Sequence, residues 1–105
     1  MFPALDHEQL EQIRRYGGVE EELEDGQFFC REGDQDFDFA VVIEGALEVF
    51  HGPSERPQVV VVHPPGKYFG DVHSLSGRAA VVSCRAQGRT RILRLRAEAL
   101  RQLVV

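Results

Sequence analysis

Residues 37–50 read Phe37-Asp38-Phe39-Ala40-Val41-Val42-Ile43-Glu44-Gly45-Ala46-Leu47-Glu48-Val49-Phe50, and they fix the class of the fold. Phe37, Phe39, Val41 and Ile43 alternate onto one face, which is the period of a half-buried β-strand and not of a helix. Glu44-Gly45 is turn chemistry, and Ala46–Phe50 resumes the strand pattern. Moving outward, Val19–Leu23, Gln27–Arg31, Gln58–His63, Val81–Ala86 and Thr90–Leu95 also read as strands. Asp25-Gly26, Gly33-Asp34, Gly52-Pro53, Pro64-Pro65-Gly66 and Gln87-Gly88 punctuate them. Gln58–His63 is apolar on both faces, which predicts a place deep in a sheet. Seven short strands with turns at regular intervals indicate a mainly β sandwich or barrel.

Both ends switch to a helical period. Asp6 is a candidate N-cap with Gln9 three residues on, Leu5 and Leu10 sit at hydrophobic-staple positions, and Leu10, Ile13 and Tyr16 continue the stripe. Gly17-Gly18 then predicts a stop, giving a helix over Asp6–Tyr16. Ala97–Val105 returns to helix with Leu100, Leu103 and Val104 on one side. The last two valines fall in mid-pattern, so the expectation is one domain, residues 1–105, cut from a longer protein.

Charge and composition narrow the function. The net charge of −5 argues against a nucleic-acid partner for the domain as a whole. It is unevenly spread: residues 1–77 hold 16 acids and 5 bases, whereas residues 78–105 hold 7 arginines and one acid. Arg89, Arg91, Arg94 and Arg96 alternate with apolar residues, as outward-facing strand positions do; the sharper reading is a basic face that docks a neighbouring domain or a second copy. The apolar runs Phe39–Ile43 and Val59–Val62 are too short to cross a bilayer, and Met1–Leu5 leads straight into charged residues, so no membrane is implied and a cytoplasmic address is expected. Cys30 and Cys84 share no CxxC spacing and lie in apolar runs, which predicts reduced, buried thiols. His7, His51, His63 and His73 show no metal-ligand spacing, and Glu20–Asp25 reads as a solvated strand and turn. No nucleophile–base pair or carboxylate pair is arranged for catalysis, so no enzyme activity is expected of this chain.

The chemistry-bearing stretch is Pro65-Gly66-Lys67-Tyr68-Phe69-Gly70-Asp71-Val72-His73-Ser74-Leu75-Ser76-Gly77-Arg78-Ala79-Ala80-Val81-Val82. Six residues between Gly70 and Gly77 predict one short helical turn, whose leading N–H groups attract anions. Asp71 could accept hydrogen bonds from sugar hydroxyls. Taken in order, Gly26-x-Phe28-Phe29-x-x-x-Gly33-Asp34, Phe39-Ala-Val-Val-Ile43-x-Gly45-x-Leu47-x-Val49 and Pro65-Gly66-x-x-Phe69-Gly70-Asp71-Val72 resemble the cyclic-nucleotide-binding domain family, which includes the catabolite-activator-type regulators. The resemblance implies a double-stranded β-helix, or jelly-roll barrel, with an N-terminal helix, a short cassette helix and a truncated C-terminal helix.

It also implies a regulatory domain that takes a cyclic nucleotide or related anion, with a ligand set of Phe69, Gly70, Asp71, Val72, His73, Arg78, Ala80 and Val81. Gly70 would offer backbone contacts, and Asp71 would stand where the family has a glutamate on the ribose hydroxyl. Ala80, Val81 and Val82 fall where the family places an arginine, a small hydroxyl residue and an alanine. Loss of the arginine would leave a phosphate short by about 2–5 kcal/mol, or roughly ten- to several-thousand-fold in affinity. Phe2-Pro3-x-Leu5, His63-x-Pro65-Gly66 and Leu75-Ser76-Gly77-Arg78-x-Ala80-x-Val82 are further similar to the N-terminal domain of bacterial fusions to a thioredoxin-reductase-like body. On that likeness FAD would belong to a downstream domain, and this chain would carry no cofactor of its own.

Overall fold

The computed structural model describes residues 7–15, 17–34, 38–53, 55–70 and 81–96. In chain order they form α1 (His7–Arg15), β1 (Val19–Leu23), β2 (Phe28–Cys30), β3 (Phe39–Glu44), β4 (Leu47–His51), β5 (Gln58–His63), β6 (Tyr68–Phe69), β7 (Ser83–Ala86) and β8 (Thr90–Leu95). Two four-stranded antiparallel sheets result, with orders β1-β8-β3-β6 and β2-β7-β4-β5. The steps β1 to β2, β3 to β4, β5 to β6 and β7 to β8 each carry the chain from one sheet to the other. This is a jelly roll whose sheets stack without closing into a barrel. The cassette helix and the C-terminal helix expected from the sequence fall outside the described residues.

The inter-sheet core joins Leu23, Ala40, Val42, Leu47, Val49, Cys84, Ala86 and Ile92, with Cys30 and Phe69 at its margin. A second layer lies on the far side of the first sheet, where Phe39, Val41, Leu93 and Leu95 are covered by Leu10 and Ile13 of α1. Strand β3 is therefore buried on both faces, not on one as its alternation suggested: Ala40 and Val42 point between the sheets, while Phe39 and Val41 point under the helix. The helix ends as Gly17-Gly18 predicted. Gly17 takes φ of 103°, and the N–H groups of Gly18 and Gly17 donate to the carbonyls of Ile13 and Arg14 at 2.9 and 3.3 Å, a Schellman closure.

Two corrections concern β5 and β8. Gln58–His63 is not deep in its sheet: it is the edge strand, hydrogen-bonded to β4 alone among the described strands, and Val59, Val60, Val61 and Val62 are exposed. A run of four valines satisfies a central strand and an open edge equally well by pattern; the sheet order decides between them. Arg94 does not face outward. It shares the inter-sheet side with Ile92, because Leu93 and Leu95 occupy the helix side.

At the turn of Gly45 the chain passes close to Arg89 and Thr90, at the start of β8. The φ of Gly45 is 85°, and a Cβ built there would lie 2.6 Å from both the Arg89 carbonyl oxygen and the Thr90 Oγ1. Thr90 is fully buried and its hydroxyl accepts from the Ala46 N–H at 3.3 Å. Gly26 has a similar φ of 80° but open space around it. Gly45→Ala should therefore cost about 3 kcal/mol, from backbone strain plus overpacking, while Gly26→Ala should cost about 1 kcal/mol; urea denaturation of the two variants measures the difference, and equal losses would refute the close approach.

Candidate functional site

The core runs out along one side of the sandwich. Val49 of β4 is 4% exposed, yet its register partner on β5, Val61, is 41% exposed. Partners across an antiparallel ladder point to the same side, so Val61 faces the inter-sheet space and meets solvent there. Val60 is the additional residue of a bulge between the Val49 and Phe50 pairings, a device typical of sheet edges near sites. The chain then crosses to the other sheet through Pro64-Pro65-Gly66. That crossing is pinned to β3, because Gly66 N–H donates to the Val42 carbonyl at 2.8 Å and Val42 N–H to the Lys67 carbonyl at 2.9 Å. The sandwich thus ends at the edge strands β5 and β6, with Val61 open to solvent; this apolar border between the two edges is called the slot.

His63, opposite Leu47, stands half-buried at the end of this wall. Burial, and then the charge of Lys67, hold its imidazole below the ordinary histidine value, so it is neutral at neutral pH.

At the inner end of the slot β6 delivers Phe69, 7% exposed, with its ring edge-on to Phe29 at 5.9 Å. Gly70 follows with φ of 103°, and a Cβ there would sit 3.3 Å from Phe39 Cα and 3.5 Å from the Asp38 carbonyl oxygen. The left-handed backbone favours glycine here, and the tight approach to Phe39 adds to that preference. Across from it lies a charged cluster that the sequence reading missed. The Arg94 guanidinium lies over the Phe29 ring at 4.5 Å, bonds Glu21 through Nε at 2.5 Å and bonds Asp38 through Nη1 at 3.0 Å. Burial alone would lower its pKa, but the hydrogen bonds and charges of Glu21 and Asp38 outweigh that and hold it above its ordinary value.

The remaining strand arginines are also taken up. Arg85 pairs with Glu48 at 2.8 Å, Arg89 with Glu22, and Arg91 with Glu44 at 3.3 Å. Glu20, the first acid of the run beginning on β1, meets Arg14 of α1 at 2.7 Å. Arg85, Arg89, Arg91 and Arg94 of the basic part therefore pair with carboxylates of the acidic part. Among the described residues no group of histidine, cysteine and carboxylate side chains could hold a metal ion, and no helix is long and apolar enough to cross a membrane.

The profile of the family described as cyclic nucleotide-binding domain matches residues 20–105. The chain belongs to the cyclic nucleotide-binding domain family. Solved structures agree on the fold. The catabolite activator protein of Thermus thermophilus superposes with a TM-score of 0.77 at 22% identity, over 95% of this chain and 47% of that one. The N-terminal domain of a transcriptional regulator from Streptomyces coelicolor A3(2) gives 0.76 at 24%, over 94% and 71%. A protein of a cyclic-GMP-dependent signalling pathway that regulates bacterial phytopathogenesis gives 0.78 at 24%, over 97% and 81%. No curated protein matches the sequence.

Of the family-type ligand residues, the structure describes three. Phe69 is a core ring at the foot of the slot, Gly70 opens the segment that leaves β6, and Val81, 76% exposed, closes that segment just before β7. Asp71, Val72, His73, Arg78 and Ala80 lie outside the described residues.

Two measurements test this electrostatic account. Arg94→Met should destabilise the fold by about 2 kcal/mol, since it strands Glu21 and Asp38, with the partial exposure of Glu21 softening the loss; Arg89→Met, at a fully exposed pair, should leave the unfolding midpoint where it was. For His63, a depressed folded pKa means the unfolded chain binds the proton more tightly, so stability falls as pH drops through the free-histidine value of 6.5. His63→Gln should flatten that part of the stability profile, and an unchanged slope would show that the imidazole is not desolvated.

Proposed function

We propose that this domain is a regulatory sensor whose ligand, a small anionic or nucleotide-like molecule, enters the slot between β5 and β6 and meets the segment that starts at Gly70. The observation that carries the reading is Val61, an inward-facing side chain that is nonetheless 41% exposed, together with a left-handed glycine just after β6. Membership of the cyclic nucleotide-binding family makes a nucleotide the first candidate.

In this reading Gly70 and the N–H groups after it receive the anion, and Asp71 anchors a hydroxyl. The cassette is degenerate, because Ala80 stands where the family resemblance calls for the phosphate arginine. Arg94 does not replace it, since Glu21 and Asp38 already occupy its guanidinium. The domain performs no catalysis itself; ligand binding would bias an attached domain through its differential affinity for two states, and the further resemblance suggests a flavin-dependent disulfide-reductase-like body for that domain.

Titration calorimetry with cyclic AMP and cyclic GMP tests the site. Ala80→Arg should bind at least about tenfold more tightly than the parent chain, given about 1.5–3 kcal/mol for a charge-assisted hydrogen bond. No gain in the variant, with no heat from the parent, would remove the nucleotide reading; tight binding by the parent with no gain would remove the degenerate cassette.

A further inference from the structure

Cys30 on β2 and Cys84 on β7 are direct register partners. Both are free thiols, both belong to the inter-sheet core, and they are 3% and 0% exposed. The Cys30 thiol donates to the Val82 carbonyl at 3.9 Å, two residues before Cys84 on the same strand path. Directly opposed antiparallel residues have Cα atoms about 4.5–5.5 Å apart and Cβ atoms about 4.5–5.5 Å apart. A disulfide accepts Cα separations of about 4.4–6.8 Å and Cβ separations of about 3.5–4.5 Å. The usual spacing of such a pair fits the bond at the backbone, and its side chains need close by only about 1 Å or less.

We propose that Cys30 and Cys84 form a reversible cross-strand disulfide when the chain meets a peroxide, clamping β2 to β7. One thiolate attacks the peroxide, forming an S–O bond as the O–O bond breaks, and the departing hydroxide takes up a proton to become water. The second thiol then attacks the sulfenic sulfur; the S–S bond forms, the S–O bond breaks, and the leaving hydroxide takes that thiol's proton as a second water. The two thiols together lose two electrons and two protons, and the peroxide is reduced to water.

Burial sets the timing of this chemistry. Desolvation, reinforced by the charge of Asp34, pushes the Cys30 thiol up to about 12, and burial raises Cys84 as well. Neither thiol ionises appreciably at neutral pH in the closed roll, so reaction waits on a local opening. Strand β2 is where such opening is easiest: it is three residues long, it is the edge of its sheet, and its register with β7 is broken between Phe28 and Cys30. Its intervening residue, Phe29, carries the ring that meets Phe69 and Arg94. The clamp would therefore fix the aromatic residue at the foot of the slot. A disulfide drawn tight across a strand pair is of the labile, easily reduced kind. None of this rests on a nucleotide occupying the slot.

The test uses the 105-residue chain, reduced, freed of reductant and treated with hydrogen peroxide at neutral pH. Non-reducing peptide mass mapping should show a monomer lighter by two hydrogen atoms, a Cys30–Cys84 linked peptide, and full reversal by dithiothreitol. Sub-denaturing urea should speed the reaction several-fold. Thiols that stay unmodified, oxygen added to sulfur without a link, or disulfide-bonded dimers would each overturn the proposal. So would a link that forms only above the urea midpoint, since it would then be a product of the unfolded chain. Cys30→Ser, checked for folding by circular dichroism, should abolish the link; should that variant fail to fold, the mapping of the parent chain still decides.

Discussion

The packing of Leu47 and Val49 against Ile92 and Leu23 between two sheets is the constraint from which the rest of the molecule follows. Each crossing of the chain from one sheet to the other adds a strand to both stacks, so buried apolar area grows evenly until the edges are reached. On one side the edge strands β1 and β2 are joined by the Asp25-Gly26 turn, where Gly26 N–H donates to the Ala86 carbonyl at 2.9 Å and Ala86 N–H to the Gln27 carbonyl at 2.9 Å. On the other side, β5 and β6 are joined by a proline-rich crossing, and β6 is only two residues long. A two-residue strand leaves little to lay over Val61. The slot is thus a consequence of where the sandwich stops, and the chain leaves β6 through Gly70 at that place.

Charge organises the outside of the same frame. Acids on β1, β3 and β4 find their arginines on β7, on β8 and, for Arg89, in the turn just before β8, all far from them in sequence. The exposed pairs among them, Arg89–Glu22 and Arg91–Glu44, contribute little individually. Their consistent pairing nonetheless disfavours registers that would set acid against acid in a chain of net charge −5. Arg85, Arg89, Arg91 and Arg94 all find carboxylates in this way. Arg94 differs from the rest in standing on the inter-sheet side of β8, part-buried, where an unpaired guanidinium would be costly; two carboxylates and the Phe29 ring offset that cost.

Much of this architecture was legible in the residues, for identifiable reasons. β1, β5 and β8 begin and end where the apolar pattern and the turn residues place them, because a glycine or proline turn leaves the chain few alternatives. β6 was not legible: two residues, Tyr68 and Phe69, carry no periodicity, and only their pairing with Val41 and Ala40 defines them as a strand. The place of β5 at an edge was hidden for a related reason, since alternation reports which faces are apolar and says nothing of how many neighbours a strand has. The opposition of Cys30 and Cys84 depends on register, which the bulge at Phe29 resets, and no spacing rule reaches across 54 residues to recover it.

Gly70 was legible as a special position, since its left-handed backbone would strain a side chain there and Phe39 lies close by; the other expected ligand residues, Phe69 and Val81 aside, lie outside the described residues. The electrostatics of the candidate site were not legible, because the alternation of Arg94 with Leu93 and Leu95 looks the same whichever face is solvent. That ambiguity bears on what the slot can bind. With Arg94 held by Glu21 at 2.5 Å and Asp38 at 3.0 Å, an incoming anion would have to displace a carboxylate already in place, trading one charge-assisted hydrogen bond for another of similar strength. The exchange gains almost nothing. On the proposed reading, selectivity for an anion would fall to the backbone beyond Gly70 and to the residue at position 80, and the exposed valines of β5 would suit a ligand that brings a hydrophobic face along with its charge.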